Sequence, residues 1–237
     1  MAVFYSLSYR WQKKRYGKAA SKTPLAGIYQ ATAPVSRSLM RENRFLVVDC
    51  EMSGLDANRS QLLSIGWVVI ENARITHASG KHLLIHADRG AGDSTRIHGL
   101  HDATIAGAKS AAAAITLLAK QVPGSVLVFH HAPLDLRFLQ QTAYENFRCP
   151  LLFGYVDTML IEQRRLQLQG AESGLRLAQC RERYGLPPIS GHHNAMTDAR
   201  AAAELLLAQT SYLGGAGRVS LRRMGIQCSR YQFVRGV

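Results

Sequence analysis

The end of one apolar run constrains the fold of this chain more than any other feature. The stretch "LVVDCEMSGLD" (46–56) begins like a buried strand, yet it carries Asp49 and Glu51. Strand side chains alternate between the two faces of a sheet, so these two carboxylates project side by side from one face. Like charges this close repel each other, and unpaired carboxylates are costly to bury. We therefore expect a cation between them.

Further segments predict an α/β domain around this strand. Apolar runs predict four strands, at 44–51, 62–70, 81–86 and 125–130, and a hairpin turn is predicted at 71–74. Helical patterns occur at 110–122, from Pro133 onward, at 173–185 and at 194–210, while 155–168 reads as a short strand that runs into a helix. Three antiparallel strands followed by alternating strands and helices indicate a mixed sheet with helices packed on it.

Two more acids lie on the inward faces of predicted helices. In "PLDLRFLQQT", Asp135 shares the apolar stripe formed by the residues at i+3, i+4 and i+7, and in "NAMTDARAAAELL" Asp198 shares a similar stripe. An acid in a first turn also favours the helix dipole, which explains its place along the helix but not on the buried face. Four inward carboxylates match two divalent cations, and oxygen-only ligands suit Mg²⁺ or Mn²⁺. Such a pair, about 4 Å apart, is suited to phosphodiester hydrolysis.

A general base is available in "GHHNAMTD", just before the last helix. Asn194 is a good N-cap, which places His193 in the preceding loop, five residues before Asp198. Histidine titrates near neutrality and suits proton abstraction. His192 is the neighbouring alternative, and either histidine could instead be an ordinary loop residue.

These motifs resemble those of the DEDD 3′→5′ exonucleases, in the branch whose last motif carries His. "VVDCEMSGLD", "FHHAPLDLRFL" and "HNAMTDARAAAELL" are similar to the three family motifs in their order and spacing. The connecting segments "RIHGLHDATIAGA" and "VDTMLIEQRRL" are also family-like, and the resemblance covers about residues 44–210. The likeness is greatest to the proofreading epsilon subunit of bacterial DNA polymerase III and its relatives.

The resemblance implies an RNase H-like fold, with a five-stranded mixed sheet flanked by helices. It implies two-metal hydrolysis at nucleic-acid 3′ ends, with release of nucleoside 5′-monophosphates. The metal ligands would be Asp49, Glu51, Asp135 and Asp198, and His193 would be the base. Met52, Ser53 and Leu55 would contact the terminal nucleotide, with Leu55 wedged against its base.

The chain departs from the family pattern in its second motif and beside its first. The usual Thr-Thr is Met52-Ser53, the usual Asn is His131 and the usual Phe is Leu134. "EMSGLD" is closer to the first motif of oligoribonucleases. These departures bear on the choice of substrate, so RNA trimming remains an alternative to DNA proofreading or repair. A non-catalytic nucleic-acid-binding module is a third alternative, which the intact acidic quartet opposes.

Basic charge is concentrated at both ends of the chain. Residues 1–44 hold nine Lys or Arg and one acid, residues 45–215 hold fifteen of each, and residues 216–237 hold five and none. We predict a basic N-terminal extension (1–43), an exonuclease domain (44–212) and a basic C-terminal tail (213–237), which begins with a flexible exit from the domain at 213–223. Such arms suit a polyanion, although a solvated tail is equally consistent with charge alone. The aromatic residues of the first arm could stack on bases, pack on the domain or contact another protein.

The remaining predictions concern partners and location. Single-stranded or frayed DNA 3′ ends are the expected substrate, and RNA is the alternative. "QTSYL" (209–213) loosely resembles a peptide that docks on the sliding clamp, but an ordinary helix end is the favoured interpretation. No apolar run is long enough for a membrane helix, so no membrane partner is expected. Four scattered cysteines and a poor signal sequence predict a cytoplasmic location.

Overall fold

A mixed β-sheet, with six strands in the part of the chain that the structure describes, forms the centre of the molecule. The computed structural model describes residues 2–86, 108–189 and 194–231, with side chains from residue 7 onward. Its strands are β1 (Arg44–Met52), β2 (Leu62–Glu71), β3 (Arg74–Leu84), β4 (Ser125–Phe129), β5 (Gly154–Asp157) and β6 (Gln227–Cys228). Their order across the sheet is β3-β2-β1-β4-β5-β6. β4 runs parallel to both β1 and β5, and the other neighbours are antiparallel.

Helices cover both faces of this sheet. In chain order they are α1 (Ala2–Ala20), α2 (Ala26–Gln30), α3 (Ala111–Ala119), α4 (Ala132–Phe147), α5 (Thr158–Leu168), α6 (Leu177–Arg183), α7 (Ala195–Tyr212) and α8 (Leu221–Met224). The predicted elements are confirmed, with differences at their ends. The third strand begins at Arg74, directly after the turn, rather than at residue 81. The helix predicted at 173–185 spans only seven residues.

The prediction of five strands is wrong, because the segment after α7 adds a sixth. β6 pairs with β5, at Gly154 with Cys228 and at Tyr155 with Gln227. A two-residue strand has no hydrophobic period of its own, so the sequence pattern could not show it. The exit predicted to be flexible at 213–223 is also packed, since Val219, Leu221 and Met224 are buried.

Alternating residues of β1 contribute side chains to two hydrophobic cores, one on each face of the sheet. Leu46 and Val48 lie in the core that includes residues of α3 and α4. Phe45 and Val47 lie in the core on the other face, which includes residues of α7. Because β1 lies between β2 and β4 and is covered on both faces, the position of its carboxyl end is closely fixed.

The N-terminal arm packs on the domain in its described part. Tyr9, Tyr16 and Ala20 of α1 are buried in the first core, so these two tyrosines are unavailable for base stacking. Trp11 is different, because 57% of it is exposed and the Arg15 guanidinium lies 5.0 Å from its ring centroid. None of the described helices is long and apolar enough to cross a membrane.

Candidate active site

Three carboxylates from distant parts of the sequence meet at the carboxyl end of β1. Ligand atoms of Asp49, Glu51 and Asp198 all lie within 4.8 Å of one another. Asp49 and Glu51 leave the strand on the same face, as the alternation predicts. Asp198 comes from the first turn of α7, where the side chain of Asn194 caps the helix by accepting hydrogen bonds from the N–H groups of Met196 and Thr197.

A glycine in β2 allows α7 to approach the sheet at this point. Gly66 is the register partner of Asp49 on the neighbouring strand. A Cβ atom at Gly66 would collide with the backbone of Ala195 and Met196, the first two residues of α7. The missing side chain therefore lets the helix start directly above the strand pair, and Asp198 follows within the same turn.

Asp135 lies beside this trio and is buried, with 5% of its surface exposed. It is not part of the 4.8 Å cluster, but it shares a hydrogen bond with the Cys50 thiol and is among the charges that act on Asp49. Its Oδ1 atom has no hydrogen-bond partner among the described residues. Burial raises the pKa of Asp135 to about 8, although the hydrogen bond with Cys50 opposes this. The structure thus groups three of the four predicted carboxylates within 4.8 Å, and the fourth, Asp135, is near enough to raise the pKa of Asp49.

Asp157 fixes the start of the helix that carries Asp135. Its buried carboxylate accepts hydrogen bonds from the N–H groups of His131 and Ala132 at the start of α4, at 3.1 and 2.9 Å. It also accepts one from Met159 N–H at the start of α5. His131 has a φ of 73°, a left-handed conformation that is costly outside glycine, and these bonds hold it there. Sequence analysis missed this role, although an acid between a strand and a helix is a common N-cap signal.

The electrostatics of the site favour bound cations. Burial raises the pKa of Asp49 well above its ordinary value, and the negative charges of Asp135, Glu51 and Asp198 raise it further. No Lys or Arg of the described ranges lies within 4.0 Å of the carboxylates of Asp49 or Asp135. Carboxylate oxygens and an unpartnered buried Oδ1 are what hard divalent cations require. The residues present therefore fit Mg²⁺ or Mn²⁺.

The three residues predicted to contact substrate differ in exposure. Leu55 is 75% exposed, next to the end of β1, as a residue that contacts a nucleotide must be. Met52 is buried in the first core. Ser53 Oγ accepts a hydrogen bond from Gln61 N–H at 2.8 Å, so its hydroxyl helps to close the loop after β1. His192, His193 and the family-like residues 96–107 lie outside the described residues.

A histidine that sequence analysis did not single out also faces the acids. His82 on β3 is the register partner of Gly66, which is in turn the partner of Asp49. Its Nε2 atom is buried without a hydrogen-bond partner in the described part of the chain. Burial lowers the pKa of His82, and the nearby charge of Glu51 opposes this. A lone histidine within an edge strand carries no recognisable motif, so only the fold reveals its place.

Comparison with known proteins agrees with this geometry. A family model described as Exonuclease (RNase_T) matches residues 46–206. The DNA polymerase III subunit epsilon-like protein of Rhodobacter capsulatus is 32% identical over 169 residues, which are 69% of this chain and 23% of that protein. The PolC-type DNA polymerase III of Thermotoga maritima is 27% identical over 217 residues, 87% of this chain and 15% of that protein. The chain therefore spans less than a quarter of the length of these relatives.

Solved exonuclease structures share the fold. Exonuclease X, in complex with 5′ overhanging duplex DNA, superposes with a TM-score of 0.60 at 19% identity, over 76% of this chain and 99% of that one. Exonuclease I of E. coli, in complex with a dT13 oligonucleotide, gives 0.59 at 14% identity, over 72% of this chain and 42% of that one. The RNase H-like α/β architecture expected from the sequence is thereby confirmed, with six strands in place of five.

Proposed function

The chain belongs to the exonuclease family, and we propose that it removes nucleotides from 3′ ends of nucleic acid, with DNA as the preferred substrate, and releases nucleoside 5′-monophosphates. The observation that carries the proposal is the meeting of Asp49, Glu51 and Asp198 within 4.8 Å, with buried Asp135 beside them. Such a concentration of carboxylates is destabilising without cations, so the presence of this cluster favours a catalytic role.

The four carboxylates would hold two divalent cations, Mg²⁺ or Mn²⁺. When bound, such a pair supplies stabilisation of both the attacking and the leaving oxygen of a phosphodiester displacement. The residues of the chain supply the rest. His193 accepts the proton of the attacking water, whose oxygen bonds to phosphorus as the bond to the 3′ oxygen breaks. Met52, Ser53 and Leu55 would hold the terminal nucleotide, with Leu55 against its base.

The preference for DNA is supported by the relatives. Two of them are DNA polymerase III proteins by name, and the two structural neighbours were solved in complex with DNA. A role in proofreading or repair, inside a polymerase or alone, follows as part of the proposal. RNA trimming is the second candidate, because "EMSGLD" matches the oligoribonuclease pattern more closely. A cytoplasmic location stays a prediction.

The clamp-docking interpretation of "QTSYL" loses support from the structure. Gln209 is fully buried within α7, and its amide donates a hydrogen bond to the Thr158 carbonyl at 2.9 Å. A buried glutamine cannot enter a pocket on a partner, so the segment is a helix end. For nucleic acid, the exposed face of α1 offers Lys14, Arg15 and Lys18 beside Trp11. These groups would raise affinity through phosphate contacts without selecting sequence.

A direct test is digestion of matched DNA and RNA oligomers labelled at either end, with Mg²⁺, Mn²⁺ or EDTA. We expect a 5′-labelled strand to shorten stepwise and a 3′-labelled strand to release labelled mononucleotide at once, with DNA cleaved faster. Asp49→Asn and Glu51→Gln should each reduce the rate by about a thousandfold or more, since each removes a ligand of the reacting centre. Glu71→Gln, at an exposed ion pair with Arg44, is the matched control.

The same variants distinguish a nuclease from a non-catalytic nucleic-acid-binding module. If Asp49→Asn binds single-stranded DNA as the parent does but does not cleave it, the acids serve chemistry. Equal turnover by Asp49→Asn and Glu71→Gln would reject the nuclease proposal. Faster digestion of RNA than of DNA would replace the first candidate by the second.

A further inference from the structure

A second concave site lies at the β5–β6 edge of the molecule. It is a cavity of about 810 Å³ bounded by α1, by residues 32–36, by α5 and by the segment from α8 to β6. That volume falls within the range of small-molecule binding sites. Twelve of its fifteen lining residues belong to the two chain ends predicted to be basic arms, so the cavity exists because both arms pack on the domain.

The charged residues that line this cavity are all basic. Among the described residues that line it are Arg10, Lys13, Arg164 and Arg222, and none of its lining residues is Asp or Glu. In the part of the chain that the structure describes, no carboxylate lies within 4.0 Å of these four cations. Four cations around one cavity, with no acidic residue in its lining, create a positive potential that favours an anionic ligand.

Local structure holds some of these groups at the cavity wall. The Lys13 ammonium donates a hydrogen bond to the Ala31 carbonyl at 2.6 Å, which leaves two of its protons free for a ligand. The Arg164 guanidinium lies against the backbone of Gly225, where any Cβ atom would collide with it. Gly225 also has a φ of 78°, a conformation that favours glycine. The N–H of Arg222 donates to the Ser36 carbonyl at 2.7 Å, which ties α8 to the opposite wall.

The other walls are apolar or small. Leu160, Pro34 and Ile226 line the cavity together with the cations. A ligand that fits therefore carries anionic oxygens at one end and an apolar or aromatic group at the other. Guanidinium groups match phosphate oxygens in a two-pronged geometry, and a planar base suits the apolar wall. A nucleotide combines both features, which neither inorganic phosphate nor a simple carboxylate does.

This cavity is separate from the acidic cluster. Tyr155 of β5 is level with Leu127 of β4, which is level with Leu46 of β1. Gly154 at the cavity is thus four residues and two strands away from Asp49, about 16 Å at strand spacing. It lies toward the amino end of the parallel strands, whereas the acids lie at their carboxyl end.

We propose that this basic cavity binds the phosphate of a nucleotide unit, either a free nucleoside 5′-monophosphate or a unit of a nucleic-acid strand. The proposal does not depend on nuclease activity, because binding is measurable when hydrolysis is blocked. It assigns a function to the two basic chain ends together, which charge counting alone left undecided.

The test is calorimetric titration of the full chain with dTMP and with inorganic phosphate in EDTA. We expect dTMP to bind more tightly than phosphate, and Arg164→Gln/Arg222→Gln to weaken dTMP binding by about tenfold or more, since two charge-assisted contacts are lost. Arg74→Gln, an exposed arginine at the start of β3 on the opposite edge, is the matched control. Arg10→Gln, on the exposed face of α1, serves as a second variant should the double variant fold poorly.

A second experiment identifies whether the bound phosphate belongs to a free nucleotide or to a nucleic-acid strand. A labelled single-stranded oligothymidylate of about 12 nucleotides is titrated at several salt concentrations. If the cavity takes strand phosphates, the double variant should lower the slope of log affinity against log salt by about 1.4. A loss of dTMP binding without a slope change identifies the free nucleotide. Binding of both probes by Arg164→Gln/Arg222→Gln and Arg10→Gln at the level of Arg74→Gln would overturn the proposal.

Discussion

Two sets of buried carboxylates in this molecule, at Glu162 and at the acidic cluster, are stabilised in different ways. Glu162 on α5 has no exposed surface, and its carboxylate accepts hydrogen bonds from Arg165, Arg183 and Tyr184 at 2.6–2.7 Å. Burial alone would raise the pKa of Glu162, but these partners outweigh it and lower the pKa to about 2. At the acidic cluster the pKa values of Asp49 and Asp135 move the other way.

The difference shows how a structural carboxylate can be told from a functional one. Around Glu162 the sequence supplies the cations, so the group is stable in the isolated chain. Asp49 and Asp135 have no Lys or Arg partner in the described residues, so their charge must be balanced from outside. Buried acids of the second kind concentrate at sites of chemistry, because catalysis requires that the balancing charge be exchangeable or reactive.

The largest effect that we expect is on the free energy of unfolding, when the carboxylate of Glu162 is removed. Glu162→Gln leaves two arginines without their carboxylate, and we expect a loss of about 3–5 kcal/mol in the free energy of unfolding. Urea unfolding measures it, with Glu182→Gln on exposed α6 surface as the control. Below the unfolding transition, nuclease activity should remain close to that of the parent. Lost activity at full stability would mean that Glu162 serves the reaction instead.

The pH dependence of stability should have opposite signs at the two places. Glu162 has a folded pKa of about 2, below its ordinary value of 4.5, so its contribution is present above pH 4.5 and is lost as pH falls toward 2. Asp135 has a folded pKa of about 8, above its ordinary 3.8, so the metal-free protein binds an extra proton between these values. In EDTA we expect stability to fall on the order of 2 kcal/mol from pH 6 to 8.

Asp135→Asn tests that assignment, because an amide carries no charge at either pH. Its stability in EDTA, measured by urea unfolding, should change less from pH 6 to 8 than that of the parent. Glu182→Gln should follow the parent curve. Identical pH curves for Asp135→Asn and the parent would show that the fall arises elsewhere.

Adding metal should stabilise the acidic cluster and leave the Glu162 network unaffected. At about 100 times its dissociation constant, a ligand that binds only the folded state adds about 2.7 kcal/mol. We therefore expect Mg²⁺ or Mn²⁺ to raise the melting temperature by several degrees relative to EDTA. Asp49→Asn should show a smaller rise, while Glu71→Gln and Glu162→Gln should show the full one. A full rise in Asp49→Asn would place the stabilising ion at another site.

Sequence patterns predicted the parts of this site that depend on local geometry. Strand alternation placed Asp49 and Glu51 on one face, and helix periodicity placed Asp135 and Asp198 inward, because both rules act over a few residues. The N-cap at Asn194 followed from the same kind of local rule and is confirmed.

Features that depend on which elements meet could not be predicted. The cap that Asp157 gives to α4 joins residues 25 and 26 apart, and the charge of Glu51 acts on His82 only because β2 pairs with both β1 and β3. The two residues of β6 form a strand only because they pair with β5. Gly66 is the clearest case. In the sequence, one glycine within an apolar strand indicates only a locally weakened strand, and nothing indicates that a helix packs against it.

Gly66→Ala therefore tests whether the acidic cluster depends on that approach. The new methyl group would meet the backbone of Ala195 and Met196, which cannot rotate away. We expect a loss of about 2 kcal/mol in stability and a fall of more than about tenfold in cleavage, as α7 carries Asp198 away from Asp49. Gly80→Ala is the control, because its methyl group meets the flexible end of the Met196 side chain, which can move. Equal losses in the two variants would mean that crowding at α7, rather than the placement of its first turn, limits the reaction.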